Sequence, residues 1–156
     1  LKIHLISVGT RLPDWANAGT AEYLKRMPPA CPVQLHEVPA VQRGKTIATE
    51  RAKSEECARI EAQIPKGAWK IICDERGKSW STAQLSAQMA DWMQSGRDVA
   101  VVVGGADGLT DDFRQTADRL WRLSDLILPH PLVRVLLAEQ LYRAWSLLNG
   151  HPYHRE

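Results

Sequence analysis

Few cysteines, little net charge and no long apolar run characterise this chain, and each shortage removes a class of protein. Cys31, Cys57 and Cys73 are odd in number, scattered and without metal-ligand spacing. Reduced thiols in a cytoplasmic protein are therefore expected, not a disulfide framework or a cysteine-held metal. The longest apolar stretches run to about five residues, as in Val99–Val103, far short of the roughly 20 that a membrane helix needs. The opening LKIHLISVG alternates like a strand and lacks the apolar block of a secretion signal. Leu1 stands where an initiator methionine is expected, as a rare start codon read literally would explain. A net charge of +2 is too small to imply a grip on free nucleic acid through bulk electrostatics. The basic residues are unevenly used: after Lys78 come seven arginines and no lysine. That suits forked recognition of phosphate or carboxylate, and codon bias explains it equally well.

What is present is an alternation. Strand-like runs at Lys2–Val8, Val33–Val38, Trp69–Cys73, Val99–Val103 and Leu123–Leu128 are separated by helical patterns at Asp14–Met27, Ile47–Ile64, Thr82–Gln94 and Thr110–Trp121; Leu132–Leu148 is the last helix. Thr110 is a cap with Asp111 and Asp112 in the first turn behind it, and Pro131 suits a first helical position. The 156 residues make one domain, 1–156, of the α/β class: a mostly parallel sheet flanked by helices. Ligands of such sheets bind beyond the carboxyl ends of the strands, so the segments after Cys73, Val103 and Leu128 are where a site is expected.

Two of those segments have their own chemistry. GGADGL, Gly104 to Leu109, lets backbone approach a ligand, or simply makes a tight turn before Thr110. It fits neither the dinucleotide fingerprint nor a Walker loop, and Asp107 would repel a polyphosphate. A ligand with a neutral or cationic contact face, such as S-adenosylmethionine, suits it better. Pro129-His130-Pro131 is a stiff turn that either presents main-chain groups to an adenine ring or only joins two elements. The last helix is apolar nearly all round, which implies burial on several sides, by the core of a monomer or by a second copy. On its polar strip Glu139 and Arg143 are spaced to pair, while Arg134 has no such partner and is free to face substrate.

The chain ends on NGHPYHRE. A zinc site from His130, His151 and His154 is disfavoured by the spacing of three, the intervening Pro152 and the absence of a glutamate between the pair. No metal is expected. LPHPLVRVLLAEQLYRAWSLLNGHPYHRE, with VVVGGADGL upstream and VGTRLPDW near the start, closely resembles the ribosomal RNA large subunit methyltransferase H family. The resemblance covers the whole chain. It implies a SPOUT-type α/β fold with a C-terminal trefoil knot, a cytoplasmic homodimer, S-adenosylmethionine as methyl donor, and methylation of N3 of a pseudouridine in the helix 69 loop of 23S rRNA in assembled ribosomes. The family's cofactor contacts carry over to Cys73, Gly104, Leu123, Ser124, Asp125, Leu126, Ile127 and Leu128. Cys73 departs from a common leucine, and GGADGL from a frequent GGPEGL. The tail is implied to complete a site between subunits.

Removing a proton from a ring nitrogen suits a group that titrates near neutrality. His154 is the first expectation for that role and His130 the second. Tyr153 is expected to stack on or hydrogen-bond the base. Arg155 is expected to hold phosphate or a developing oxyanion, with Arg134 and Arg143 behind it. Arg43 and Lys45, in a basic loop, are expected rRNA contacts. The competing readings are a ribosome-binding factor that keeps the cofactor pocket without catalysis, and a metal-dependent hydrolase.

Overall fold

The computed structural model describes residues 1–44 and 48–155; the expected rRNA contact Lys45, the expected helix start at Ile47 and the terminal Glu156 lie outside them. In chain order the elements are β1 (Ile3–Val8), α1 (Asp14–Leu24), β2 (Val33–Val38), α2 (Thr49–Glu61), β3 (Trp69–Ser79), α3 (Thr82–Ser95), β4 (Val99–Val103), α4 (Asp111–Arg114), β5 (Arg119–Arg122), α5 (His130–Leu148) and a closing 3-10 turn, Pro152–Arg155. The five strands form one parallel sheet in the order β2-β1-β4-β3-β5, as the alternation of strands and helices requires.

Strand alternation sends neighbouring residues to opposite faces, and two cores result. Ile3, Leu5, Ile71, Val99, Val101 and Val103 face a layer holding Leu85, Met89 and Trp92 of α3 and Leu137 and Leu141 of α5. Ile6, Val8, Ile72, Ala100 and Val102 face Cys57 and Ile60 of α2 and Phe113 of α4. All five residues of β4 are buried, which is why VAVVV is apolar throughout. Helix α3 closes cleanly at both ends: Ser81 and Gln84 form a capping box, and Gly96 takes the left-handed conformation at φ +72°.

Two expected elements are displaced. The helix expected over Thr110–Trp121 stops at Arg114. Asp118 then draws the chain into the sheet, its carboxylate accepting the Lys70 N–H at 2.7 Å and its own N–H reaching the Lys70 carbonyl at 2.8 Å. The edge strand is therefore Arg119–Arg122, not Leu123–Leu128. The apolar run after it is a connection in which Leu123 still packs against the core while Leu126 is 74% and Ile127 98% exposed. The last helix begins two residues early, at His130, with Pro129 as its cap.

Strand β3 continues past the expected end at Cys73. Trp121 of β5 is opposite both Cys73 and Lys78, so residues 74–77 bulge out of register. At Gly77 the backbones pass so closely that a Cβ would sit 2.4 Å from the Leu120 carbonyl carbon and oxygen and 2.6 Å from the Trp121 nitrogen. Main chain on both sides cannot swing away as a side-chain tip would. We expect Gly77→Ala to destabilise the protein by at least about 2 kcal/mol, the scale of overpacking, whereas Gly44→Ala, where a Cβ meets nothing within 4 Å, leaves it unchanged. Urea unfolding of the two variants checks this; equal midpoints would mean that the passage has slack.

Candidate functional site

Topology brings the three expected segments together. Strand β5 lies at one edge of the sheet, three strand spacings from β1, or roughly 14 Å. Helix α5, which follows β5 in sequence, starts against the end of β1: the His130 Nε2–H donates to the Val8 carbonyl at 2.5 Å. Residues 123–129 must therefore cross the carboxyl ends of β3 and β4. They enclose a cleft of about 1210 Å³ lined by Cys73, Val103, the turn 104–109, Leu123–Leu128 and Val133. Every residue expected to touch cofactor lines this one cleft.

The glycine turn is shaped by protein contacts as well as by access. A Cβ on Gly104 would lie 2.8 Å from Leu109 Cγ, and one on Gly105 3.1 Å from a Glu56 carboxylate oxygen. The Gly108 N–H donates to the Gly105 carbonyl at 3.0 Å, and Gly108 has φ +77°, a conformation that favours glycine. Thr110 caps α4 as expected, accepting from the Phe113 N–H. Sequence reasoning missed Arg114: its guanidinium donates to the Leu109 carbonyl and pairs with Asp111, with Nε 3.7 Å from the nearly buried Asp74 carboxylate. One side chain thus ties the glycine turn to the wall beyond Cys73. Burial pushes the Cys73 thiol up to about 12, with help from Asp74, so it stays protonated and lines the cleft as a small apolar group. Acids and bases line the cleft in near balance, and its aspartates are paired within the protein, Asp74 with Arg76 and Arg114, Asp107 with Arg43 and Asp125 with Arg122.

At the start of α5 an expectation is corrected. Arg134 does not face substrate; it is fully buried, pairing with Glu37 at 2.6 Å and donating to the Ser7 hydroxyl and the Gly9 carbonyl, each at 3.0 Å. Together with His130 it clamps the first turn of α5 to the end of β1. Because a carbonyl only accepts, His130 carries its proton on Nε2, and the imidazole is given to structure. Arg43 is corrected too: its fork is held by Glu56 and Asp107, so it is not open to rRNA phosphate.

The tail folds back on the far part of α5. Tyr153 is buried, its ring 4.7 Å from that of Tyr142 and edge-on to Tyr23, with the Arg143 guanidinium 4.9 Å from its centre. Its hydroxyl donates to Glu139 at 3.2 Å, and burial raises its pKa. Tyr153 is thus an anchor with no face open for stacking on a base. Arg143 is engaged in the same cluster, bonded to Glu139 at 2.6 Å as the spacing predicted. His154 is held differently: its Nδ1–H donates to the His151 carbonyl, so in the neutral ring Nε2 is the accepting nitrogen. Arg155 is exposed. His130 lies at one end of α5 and His151 and His154 at the other, so one chain does not gather three imidazoles.

Residues 1–154 match the family model described as predicted SPOUT methyltransferase. The chain is 56% identical over 156 residues to the ribosomal RNA large subunit methyltransferase H of Thioalkalivibrio sulfidiphilus, and 51% identical to that of Hydrogenovibrio crunogenus, each alignment covering all of both chains. A probable methylase family protein from Haemophilus influenzae superposes with a TM-score of 0.59 at 13% identity, covering 97% of this chain and 67% of that one; that likeness concerns the fold.

The histidines make stability depend on pH. Burial lowers the pKa of His130, and burial with the neighbouring His4 lowers that of His36, whose Nε2 is 3.0 Å from His4 Nδ1. In the unfolded chain both titrate near about 6.5. Below that value the unfolded state binds more protons than the folded one, so stability is full above it and declines as pH falls toward the depressed folded values. Thermal melts should be level from about pH 8 to 7 and fall from about 6.5 to 5.5, with a shallower fall for His130→Gln. A flat profile through that window would contradict these assignments.

Proposed function

We infer, from the premise that this chain belongs to the ribosomal RNA large subunit methyltransferase H family of SPOUT methyltransferases, that it methylates N3 of a pseudouridine in the helix 69 loop of 23S rRNA. The observation that carries the reading is the meeting of Cys73, Gly104 and Leu123–Leu128 in one cleft. No described helix is long and apolar enough to cross a membrane, and work on ribosomes belongs in the cytoplasm.

The cleft suits S-adenosylmethionine, which when bound supplies an electrophilic methyl group on a sulfonium. Leu123, Leu126, Ile127 and Leu128 offer apolar walls to an adenosine, and backbone at Gly104 a close approach. The chain's remaining tasks are to align the target nitrogen, exclude water and remove the N3 proton. Alignment alone is worth several kcal/mol. His154 Nε2 is the acceptor for the proton, its tautomer set by the bond to His151. Arg155 is placed to meet phosphate or the developing negative charge on the base.

These tasks need a second copy. The cleft touches α5 at Val133, whereas the tail docks between Glu139 and Ser146. The separation along the helix is about 9–20 Å at 1.5 Å per residue, against the roughly 3–3.5 Å that reacting atoms require. The tail therefore serves the cleft of a partner, in a homodimer that covers exposed apolar side chains such as Leu132 and Leu147.

Two variants separate the halves of such a site. A chain ending at Gly150 lacks the tail, and Gly104→Val blocks the cleft; each alone should lose methyl transfer to ribosomes. Mixed as re-equilibrated dimers they should recover about a quarter of wild-type activity, since half the dimers are mixed and each has one intact composite site. A mixture that stays inactive would place the tail's action within its own subunit. Cofactor-induced thermal stabilisation without methylation by the wild type would instead favour the ribosome-binding factor.

A further inference from the structure

Arg43, Glu56 and Asp107 form a strut behind the glycine turn that neither the cleft chemistry nor the tail explains. Glu56 on α2 is fully buried, and its carboxylate accepts from the Val41 N–H at 2.9 Å and from both terminal nitrogens of Arg43 at 2.7 and 3.0 Å. The same carboxylate lies against the turn, within 3.1 Å of where a Gly105 Cβ would be. Arg43 Nη1 also donates to the Val41 carbonyl at 2.7 Å, and its Nε reaches Asp107 on the turn at 2.7 Å. One guanidinium thus joins a buried anion behind the turn to an anion at its tip.

An exposed ion pair usually contributes little, because two long side chains must be ordered to form it. Here that cost is already met: Glu56 holds Arg43 in a two-pronged fork, so Asp107 bonds to a donor that does not move. The turn has need of such a brace. It is closed by one backbone hydrogen bond, Gly108 to Gly105, and is bounded by permissive glycines. Its first central position holds Ala106, where a proline would preset φ.

We propose that Arg43 is a positioning residue for methyl transfer: anchored by Glu56, it holds Asp107 and so keeps the glycine turn in the shape that receives the cofactor, supplying the stiffness that Ala106 does not. The proposal rests on the reading of this cleft as the S-adenosylmethionine site.

The test uses Asp107→Ala, Ala106→Pro and the double variant in the full-length protein. Asp107→Ala leaves the Arg43–Glu56 pair intact, so folding is not at risk as it would be on removing Arg43. Two quantities are read: the S-adenosylmethionine dissociation constant by calorimetry, and amide exchange of residues 104–109 in the free protein. Asp107→Ala should weaken binding about three- to tenfold through lost preorganisation, speed exchange in the turn, and leave kcat at saturating cofactor within about twofold. In the Ala106→Pro background the same change should cost less than about twofold, because the stiffened turn no longer depends on the strut. Equal losses in both backgrounds would make Asp107 a direct ligand contact and overturn the proposal, as would unchanged affinity and exchange. A wild type that binds no S-adenosylmethionine would sink the cofactor reading alone; exchange, and its rescue by Ala106→Pro, would still decide for or against the strut.

Discussion

The whole arrangement depends on backbone room at Gly77. From β3 the chain passes to the central strand β4, then to the sheet edge as β5, and must cross two strand ends to start α5 beside β1. Main chain lies against main chain at Gly77 and Leu120, and only a residue without a Cβ permits it. From that passage the rest follows: residues 123–128 arrive above Cys73 and Gly104, and α5 sets out from the end of β1. A bulkier residue there would hold β5 off β3 and open the cleft from its outer wall.

Local patterns made most of the sheet legible and little of the site's support. VQLHEV and VAVVV became strands at the expected residues because their periodicity is short-range and unopposed. LSDLIL reads as a strand for the same local reason, yet beyond Leu123, which packs against the core, its apolar residues Leu126 and Ile127 are exposed at the cleft. RLWR, with an arginine at each end, pairs at the sheet edge because Asp118 and Lys70 fix the register across 48 residues. No window of local sequence contains that bond. Arg43, Arg114 and Arg134 were invisible as struts in the same way: each has a partner distant in sequence or a backbone carbonyl, and a guanidinium's partner cannot be read from its neighbours.

Arginine usage beyond Lys78 finds an explanation in those struts. Of the seven arginines there, Arg97 lies over Trp69, Arg119 over Trp80, Arg122 joins Ser79 and Asp125, and Arg114, Arg134 and Arg143 serve the bonds described above. A planar fork that stacks on rings and bridges two acceptors does this work, and a lysine ammonium does not. So six of the seven arginines beyond Lys78 have partners within the molecule. With a net charge of +2, the overall field is weak, and bulk electrostatics alone would not give a strong grip on free strands.

The tail answers the same economy of placement. Termini fray unless something holds them, and Tyr153, set among Tyr23, Tyr142, Arg143 and Glu139, supplies the hold. A held tail presents its side chains at a smaller cost in orientational freedom than a loose one. Over the five residues from His151 to Arg155, the His151 ring accepts from the Tyr153 N–H and its carbonyl from the His154 ring, while Tyr153 packs inward and Arg155 stays exposed. On the proposed reading, a tail held against its own α5 and away from its own cleft serves the cleft of a second copy.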